Sequence, residues 1–454
     1  MTLNNDLICA LATPNGMGAL AVIRLSGKGS WDCAERFFSR TLADKPSHTV
    51  HYGNMTHASG EVIDEVVLTL FAEHRSFTGE ESVEITCHGS TYIQQQLLTL
   101  FIDNGCRMAS PGEFTQRAFM NGRMDLSQAE AVSDLISAQT RMAHAVALKQ
   151  LRGGFSSELK TLREKLIHFA SLVELELDFA EEDVEFADRT ELKALLSEVL
   201  TYISRLIRSF ELGNALKDGV PVAIVGAPNT GKSTLLNQLL GEDRALVSNI
   251  AGTTRDVIEE TINLGGILFR LIDTAGIREN ADVIEAMGIE RTHEKISKAS
   301  LVLCMADLSV AGSLEEVSRW AENLRVQHTD KHVLVVGNKK DLAAERIHDG
   351  SGVLPISAQS GEGMDALRNW LVQTVQGDYD VQSETIVSNL RHAEALKRTQ
   401  TALSSALHGL ETGISADFVA MDIRQAMFDL GSITGDISTE DLLGNIFSKF
   451  CIGK

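Results

Sequence analysis

Short apolar runs such as ALAVIRLSG and EVVLTLF, separated by turn-rich stretches such as SFTGEES and ASPGEF, fill residues 1–118. Runs of strand length bounded by Gly, Pro and Ser predict a mixed α/β domain. From about Glu113 the period lengthens. In LSQAEAVSDLISAQTRMAHAVALKQL, SSELKTLREKLIHFASLVELELDF and ELKALLSEVLTYISRLIRSFELGNAL apolar residues recur every three or four positions with almost no Pro, the pattern of helices packed as a bundle. At VPVAIVGAPN the chain turns to strand, loop, helix, and it alternates in this way to about Gln376. Helical periodicity then returns in LRHAEALKRTQTALSSALHGL and DFVAMDIRQAMFDLGSITG. Helices on both sides of an α/β unit need partners for their apolar faces, so the pattern predicts one discontinuous helical bundle with an inserted domain. The expected segments are an N-terminal α/β domain at 1–118, helical parts at 119–217 and 377–454, and the insertion at 218–376.

With 454 residues and 44% apolar content, the chain has material for several cores. A net charge of −21 argues against a protein that coats nucleic acid or anionic membrane through a global positive field. Any RNA contact must use a local patch. The start, MTLNNDLICALATPNGMG, has no basic region followed by an apolar one, and no stretch approaches the ~18 uninterrupted apolar residues of a membrane span. A cytoplasmic protein without membrane contact is expected. Six scattered cysteines without CxxC spacing argue against a zinc site or a disulfide framework. The stretch from Glu174 to Glu191 holds nine carboxylates and one arginine, and is read as a solvated helix junction rather than a metal site. In the terminal FSKFCIGK, Cys451 stands fourth from the end, but Gly453 and Lys454 do not suit a prenylation signal.

The insertion carries the chemistry. GAPNTGKS, Gly226 to Ser233, matches the GxxxxGK[ST] phosphate loop between the strand VAIV and the helix STLLNQLL. There glycines let backbone N–H groups curl around phosphates at a helix N-terminus, where the helix dipole favours anions. Lys232 is expected to reach the β and γ phosphates and Ser233 to ligate Mg²⁺. DTAG (Asp273 to Gly276) ends the strand ILFRLI and offers a carboxylate for water-mediated Mg²⁺ contact and the Gly276 N–H for the γ phosphate. NKKD (Asn338 to Asp341) ends the strand HVLVV, and Asp341 can accept the N1 and N2 protons that distinguish guanine from adenine. Ser357 and Ala358, in PISAQSGEG, lie where a backbone amide would read guanine O6. Thr253 and Thr254, in AGTTRD, lie in a candidate switch, with Thr254 the expected Mg²⁺ ligand. The nucleotide is therefore expected to be GTP. By motif position its contacts also include Asn229, Thr230, Gly231, Thr234, Ser248, Thr274 and Lys339.

Two departures from Ras-type enzymes stand out. Ile277 follows DTAG where a water-orienting glutamine would stand, and a branched alkyl chain cannot orient water. Glu279, Asp282, Glu285 and Glu290 in the following segment are the carboxylates available instead. No arginine stands out to offset transition-state charge. A monovalent cation held by the Asn229 side chain with Ser248 and Ile250 oxygens is chemically reasonable, although on local evidence Asn229 reads simply as a turn residue after Pro228.

SFTGEESVEITCHG, SPGEFTQRAFMNGRMDLSQAEAVSDLI, GAPNTGKSTLLNQL, IAGTTRD, DTAGIRE and LLGNIFSKFCIGK occur in this order and span nearly the whole chain. The sequence resembles the tRNA-modification GTPase family MnmE (TrmE), and the terminal CIGK is its most specific mark. The resemblance implies an N-terminal folate-binding and dimerising domain, with a tetrahydrofolate derivative (5-formyl- or methylene-) contacted by Arg24, Glu84, Arg123 and Lys454. Many members carry Lys at the position of Arg123, Thr at that of Ser248, and Arg at that of Ala227. It implies Glu285 as the carboxylate orienting water, and Asn229, Ser248, Ile250 and Thr253 as potassium ligands. It further implies a homodimer, an FAD-dependent MnmG partner, a tRNA substrate modified at C5 of the wobble uridine, and Cys451 as a nucleophile or acid/base group. A ribosome-assembly GTPase of the Era or Der kind is the alternative, since the phosphate loop alone does not separate the two. The N-terminal domain and the thiol tail do, because an assembly factor needs neither. A dynamin-like membrane switch lacks support without a basic amphipathic helix or lipid anchor.

Overall fold

The computed structural model describes residues 6–178, 189–243, 260–272, 294–343, 352–377, 379–380 and 383–453, without the side chains of 172–178, 242–243 and 440–441. Most of the acidic stretch, both switch segments, Glu285 and Lys454 lie outside the described residues. The chain divides into two compact units. One comprises residues 1–133, 150–189 and 405–454, the other residues 134–149 and 190–404.

The first unit is built on a six-stranded sheet of order β3-β4-β5-β2-β1-β6, with β1 Ile8–Leu11, β2 Leu20–Ser26, β3 Thr49–Thr56, β4 Val62–Phe71, β5 Ser82–His88 and β6 Arg107–Met108. All pairs are antiparallel except β1 with β6. Strand alternation sends successive side chains to opposite faces. Ala21, Ile23 and Leu25 of β2, Val66, Leu68 and Leu70 of β4, and Val83, Ile85 and Cys87 of β5 are buried together with Leu97 and Phe101 of the helix Thr91–Asp103. The same alternation turns Arg24 and Glu84 to the other face, where the register sets them side by side. Helices Gly154–Asp178 and Ala416–Thr434 pack against one another in this unit, and Arg163 of the first pairs with Asp436 just past the second at 2.8 Å.

The second unit holds a six-stranded sheet of order β12-β11-β10-β7-β9-β8, with β7 Val220–Gly226, β8 Glu260–Leu264, β9 Ile267–Leu271, β10 Leu301–Asp307, β11 His332–Asn338 and β12 Val353–Pro355. Only the edge pair β8 and β9 is antiparallel. Every residue of LVLCMAD in β10 is buried, as expected for a central parallel strand covered on both faces. Burial pushes the Cys304 thiol in this strand up to about 12. Helices Lys232–Asp243, Ser313–Gln327 and Met364–Gln376 supply Leu235, Leu239, Leu324, Leu367 and Leu371 to the cores beside the sheet. In parallel α/β sheets the carboxyl ends of the strands form the ligand crevice. Here Gly226, Asp307 and Asn338 end β7, β10 and β11.

Candidate functional site

Backbone geometry shapes the loop after β7. Gly226 has φ +154° and its missing Cβ would stand 2.6 Å from the Met305 carbonyl oxygen; Gly231 has φ +94° and its Cβ would stand 2.2 Å from Asn338 Nδ2. Only glycine meets both demands, for space and for positive φ. Asn229, with φ +62°, is one of the few non-glycine residues in the left-handed region, a conformation that Asn tolerates better than most. This supports the turn reading of that residue and leaves its side chain exposed. Thr230 is buried and its hydroxyl donates to the Ala227 carbonyl at 2.9 Å, which closes the loop on itself.

Lys232 opens the next helix and folds back, its Nζ donating to the Gly226 and Ala227 carbonyls at 2.9 and 2.7 Å. Burial lowers the pKa of this ammonium, and the nearby Lys295 charge lowers it further. An anion in the cradle would relieve that cost, because no carboxylate among the described residues is paired with this ammonium. Ser233 and Thr234 follow on the exposed first turn. The glycine cradle, the helix N-terminus and the half-buried ammonium together fit a nucleotide phosphate chain.

Asn338, 3% exposed, clasps two loops. Its Nδ2 donates to the Thr230 carbonyl at 2.8 Å and its Oδ1 accepts from the Ala358 amide at 2.9 Å. The phosphate loop and the PISAQ segment are thereby locked to the end of β11. Ser357 and Ala358 are buried; the Ser357 amide donates to the Glu362 carbonyl at 2.8 Å. Lys339 has φ +63°, and its Nζ meets Asp307 Oδ2 at 2.5 Å. Burial raises the Asp307 carboxyl, but the Lys339 ammonium and the Ser309 hydroxyl and amide together hold it below the usual carboxylate range. Asp341 is exposed on a short turn of 3₁₀ helix, Lys340–Leu342. The described part of the site thus brings together Gly226, Thr230, Gly231, Lys232, Asn338 and Ala358. Ser248, Ile250, Thr253, Thr254, Asp273, Thr274, Gly276 and Glu285 lie outside the described residues. Sequence reading missed Asp307 as the anchor of Lys339, since only strand pairing sets Asp307 beside Asn338.

In the first unit two donors of Arg24 converge on one oxygen of Glu84, Nη2 to Oε1 at 2.7 Å and Nε to Oε1 at 3.0 Å. The guanidinium also lies 5.5 Å from the Phe77 ring centre and 5.6 Å from that of Phe114, within cation–π range. These aromatics carried no signal in the sequence beyond apolar character. Arg123 is exposed, and its Nη1 donates to the His74 carbonyl at 3.2 Å while its Cγ would crowd a Cβ on Gly79. Phe77 and Gly79 share the loop between β4 and β5, so Arg123 borders the segment that flanks Arg24. The carboxy-terminal tail reaches the same unit. The Gly112 amide donates to the Cys451 carbonyl at 3.3 Å, and buried Gly453, at φ +93°, leaves no room for a Cβ, which would stand 2.2 Å from the Leu11 oxygen. Leu11 neighbours Ala10, the β1 partner of Arg24. The tail is therefore docked, with the side chain of Cys451 exposed beside it and the other five cysteines buried.

Two family models match: "GTP-binding protein TrmE N-terminus" over residues 7–123 and "MnmE helical domain" over residues 126–451. The chain belongs to the MnmE family. The MnmE relative from Cytophaga hutchinsonii, named a tRNA modification GTPase, is 53% identical over all of this chain and 99% of its own length. The Flavobacterium johnsoniae MnmE is 49% identical over the full length of both chains. Among solved structures, the FeoB G-domain from Methanococcus jannaschii is 25% identical, covers 35% of this chain and 98% of its own, and has a TM-score of 0.25, too low to argue from.

Proposed function

We propose that this chain is a potassium-stimulated GTPase acting in a complex that adds an aminomethyl-type group, such as carboxymethylaminomethyl, to C5 of the wobble uridine of certain tRNAs. The observation that carries the reading is the pre-formed phosphate cradle clasped by Asn338 in a chain that matches tRNA modification GTPases along its whole length. Lys232 binds the β and γ phosphates, Asp341 reads guanine, and Ser233 with Thr254 holds Mg²⁺. Asn229, Ser248, Ile250 and Thr253 hold K⁺, which when bound would supply positive charge for a role in which no arginine stands out in the sequence. Glu285 orients the attacking water.

A tetrahydrofolate derivative bound at Arg24, Glu84, Arg123 and Lys454 supplies the one-carbon unit. Support for this subsite is the Arg24–Glu84 pair, with the guanidinium near the Phe77 and Phe114 rings, and the docked tail beside Leu11. In this reading Cys451 takes part as a nucleophile or acid/base group, two copies pair through residues 1–118, and an FAD-dependent MnmG protein is the partner in the cytoplasm. The domain segments proposed are 1–118, 119–217, 218–376 and 377–454. Mass spectrometry of tRNA nucleosides with and without the gene tests the reading. Loss of C5-modified wobble uridine is expected, and normal levels in the deletion strain would sink it.

A further inference from the structure

The nucleotide-binding sheet sets β7, β10 and β11 side by side. The phosphate cradle follows β7, and Asp341 follows β11. A nucleotide with its phosphates in the cradle and its base edge at Asp341 must therefore cross the carboxyl end of β10, a span of two strand spacings or about 10 Å. Lys339 reaches into that gap. It leaves the end of β11 at φ +63°, and its Nζ meets Asp307 Oδ2, at the end of β10, at 2.5 Å. The methylene stem is thus drawn across the carboxyl ends of both strands, with 31% of the side chain exposed against 11% for that of Asp307.

The tether is itself held in place. The Ser309 amide and hydroxyl donate to Asp307 Oδ1 at 3.0 and 2.6 Å, and the Asp307 amide donates to Ser313 Oγ at 3.1 Å. One carboxylate oxygen fixes the carboxylate and the other fixes the ammonium. Strand register pairs Asp307 with Asn338, the residue before Lys339, so the pairing that brings the clasp to the phosphate loop also places the tether. A free lysine side chain carries one of the largest rotamer entropies of any residue. A stem held taut before the ligand arrives does not have to be ordered when it binds, and its methylenes offer apolar surface to the face of a planar base.

We propose that Asp307 is a positioning residue for the nucleotide: it holds the Lys339 stem as the floor on which the guanosine lies, and so sets how slowly the nucleotide leaves. This rests on the reading that Asp341 meets the guanine edge. The test uses the full chain with Mg²⁺, loaded with methylanthraniloyl-GDP and chased with excess GDP, with release followed by stopped-flow fluorescence. Asp307→Asn should speed release about tenfold or more, the loss of a charge-assisted hydrogen bond. Lys339→Ala should speed it at least as much. The double variant Asp307→Asn/Lys339→Ala should release no faster than Lys339→Ala alone, because a residue that acts only through Lys339 loses its effect when Lys339 is gone. Urea unfolding of the nucleotide-free proteins checks folding. Where Asp307→Asn does not fold, Ser309→Ala carries the test, since Ser309 is exposed and its hydroxyl steadies Asp307; release should speed up about threefold, and only while Lys339 is present. Native release in a folded Asp307→Asn beside fast release in Lys339→Ala, or effects that add in the double variant, would overturn the proposal and leave the guanine reading standing. Native release in Lys339→Ala would overturn both.

Discussion

Replacing Asn338 by Ala tests whether the clasp builds the site or only touches a nucleotide. The substitution removes the donor to the Thr230 carbonyl and the acceptor of the Ala358 amide, where Asn338, Thr230 and Ala358 are only 3%, 2% and 1% exposed. Each buried polar group left unsatisfied costs about 1–3 kcal/mol, so two orphans give about 2–6 kcal/mol before relaxation. Ala227, Pro228 and Asn229 are exposed, so water can reach the loosened loop. The lower part of that range, about 2–4 kcal/mol, is therefore expected. With a urea slope of about 2 kcal/mol/M, the unfolding midpoint of nucleotide-free protein should fall by about 1–2 M. The assay is urea unfolding followed by tryptophan fluorescence, since Trp320 and Trp370 pack against the two cores of the nucleotide-binding sheet. A residue that serves only to contact nucleotide would leave this midpoint in place. A shift of less than about 0.3 M without nucleotide, alongside weakened GTP binding, would refute the clasp.

Gly453→Ala should undock the tail, because the new methyl would meet the Leu11 carbonyl; hydrogen exchange at the Gly112 amide should speed up by about tenfold or more, and unchanged exchange would show that the tail is not held there. Asp64 accepts from His88 Nδ1 at 2.7 Å and from its backbone amide at 2.8 Å, and that hydrogen bond raises the imidazole pKa. A raised folded-state pKa contributes stability that is complete below about pH 6.5 and is lost as pH rises through the folded value. Asp64→Asn should move the His88 NMR titration midpoint to lower pH; an unmoved midpoint contradicts this. Glu285→Ala should lower kcat by several orders of magnitude with GTP affinity nearly unchanged, and hydrolysis at the native rate would assign the water to another carboxylate. Exchanging K⁺ for Na⁺ should sharply slow hydrolysis, and equal rates would remove the case for a cation at Asn229.

Much of the site was legible because its chemistry is local. GxxxxGKS between an apolar strand and a helix fixes the cradle through neighbours in sequence: Gly226 and Gly231 supply the positive φ values, and Lys232 and Ser233 open the helix. NKKD and PISAQ were equally readable as motifs. Their mechanical connection was not, since Asn338, Thr230 and Ala358 meet only when β7, β11 and the PISAQ segment are assembled.

The sequence by itself determined the strand and helix periods, the phosphate loop, the NKKD motif and the kinship, because each depends on residues a few positions apart or on whole-chain likeness. Tertiary structure alone decided that Arg24 meets Glu84 near the Phe77 and Phe114 rings, that Asp307 anchors Lys339, that the tail closes on Leu11, and that Arg163 rests against Gly431. Each of those contacts joins residues far apart in the chain. Their geometry follows from strand register and helix packing, which sequence spacing does not encode.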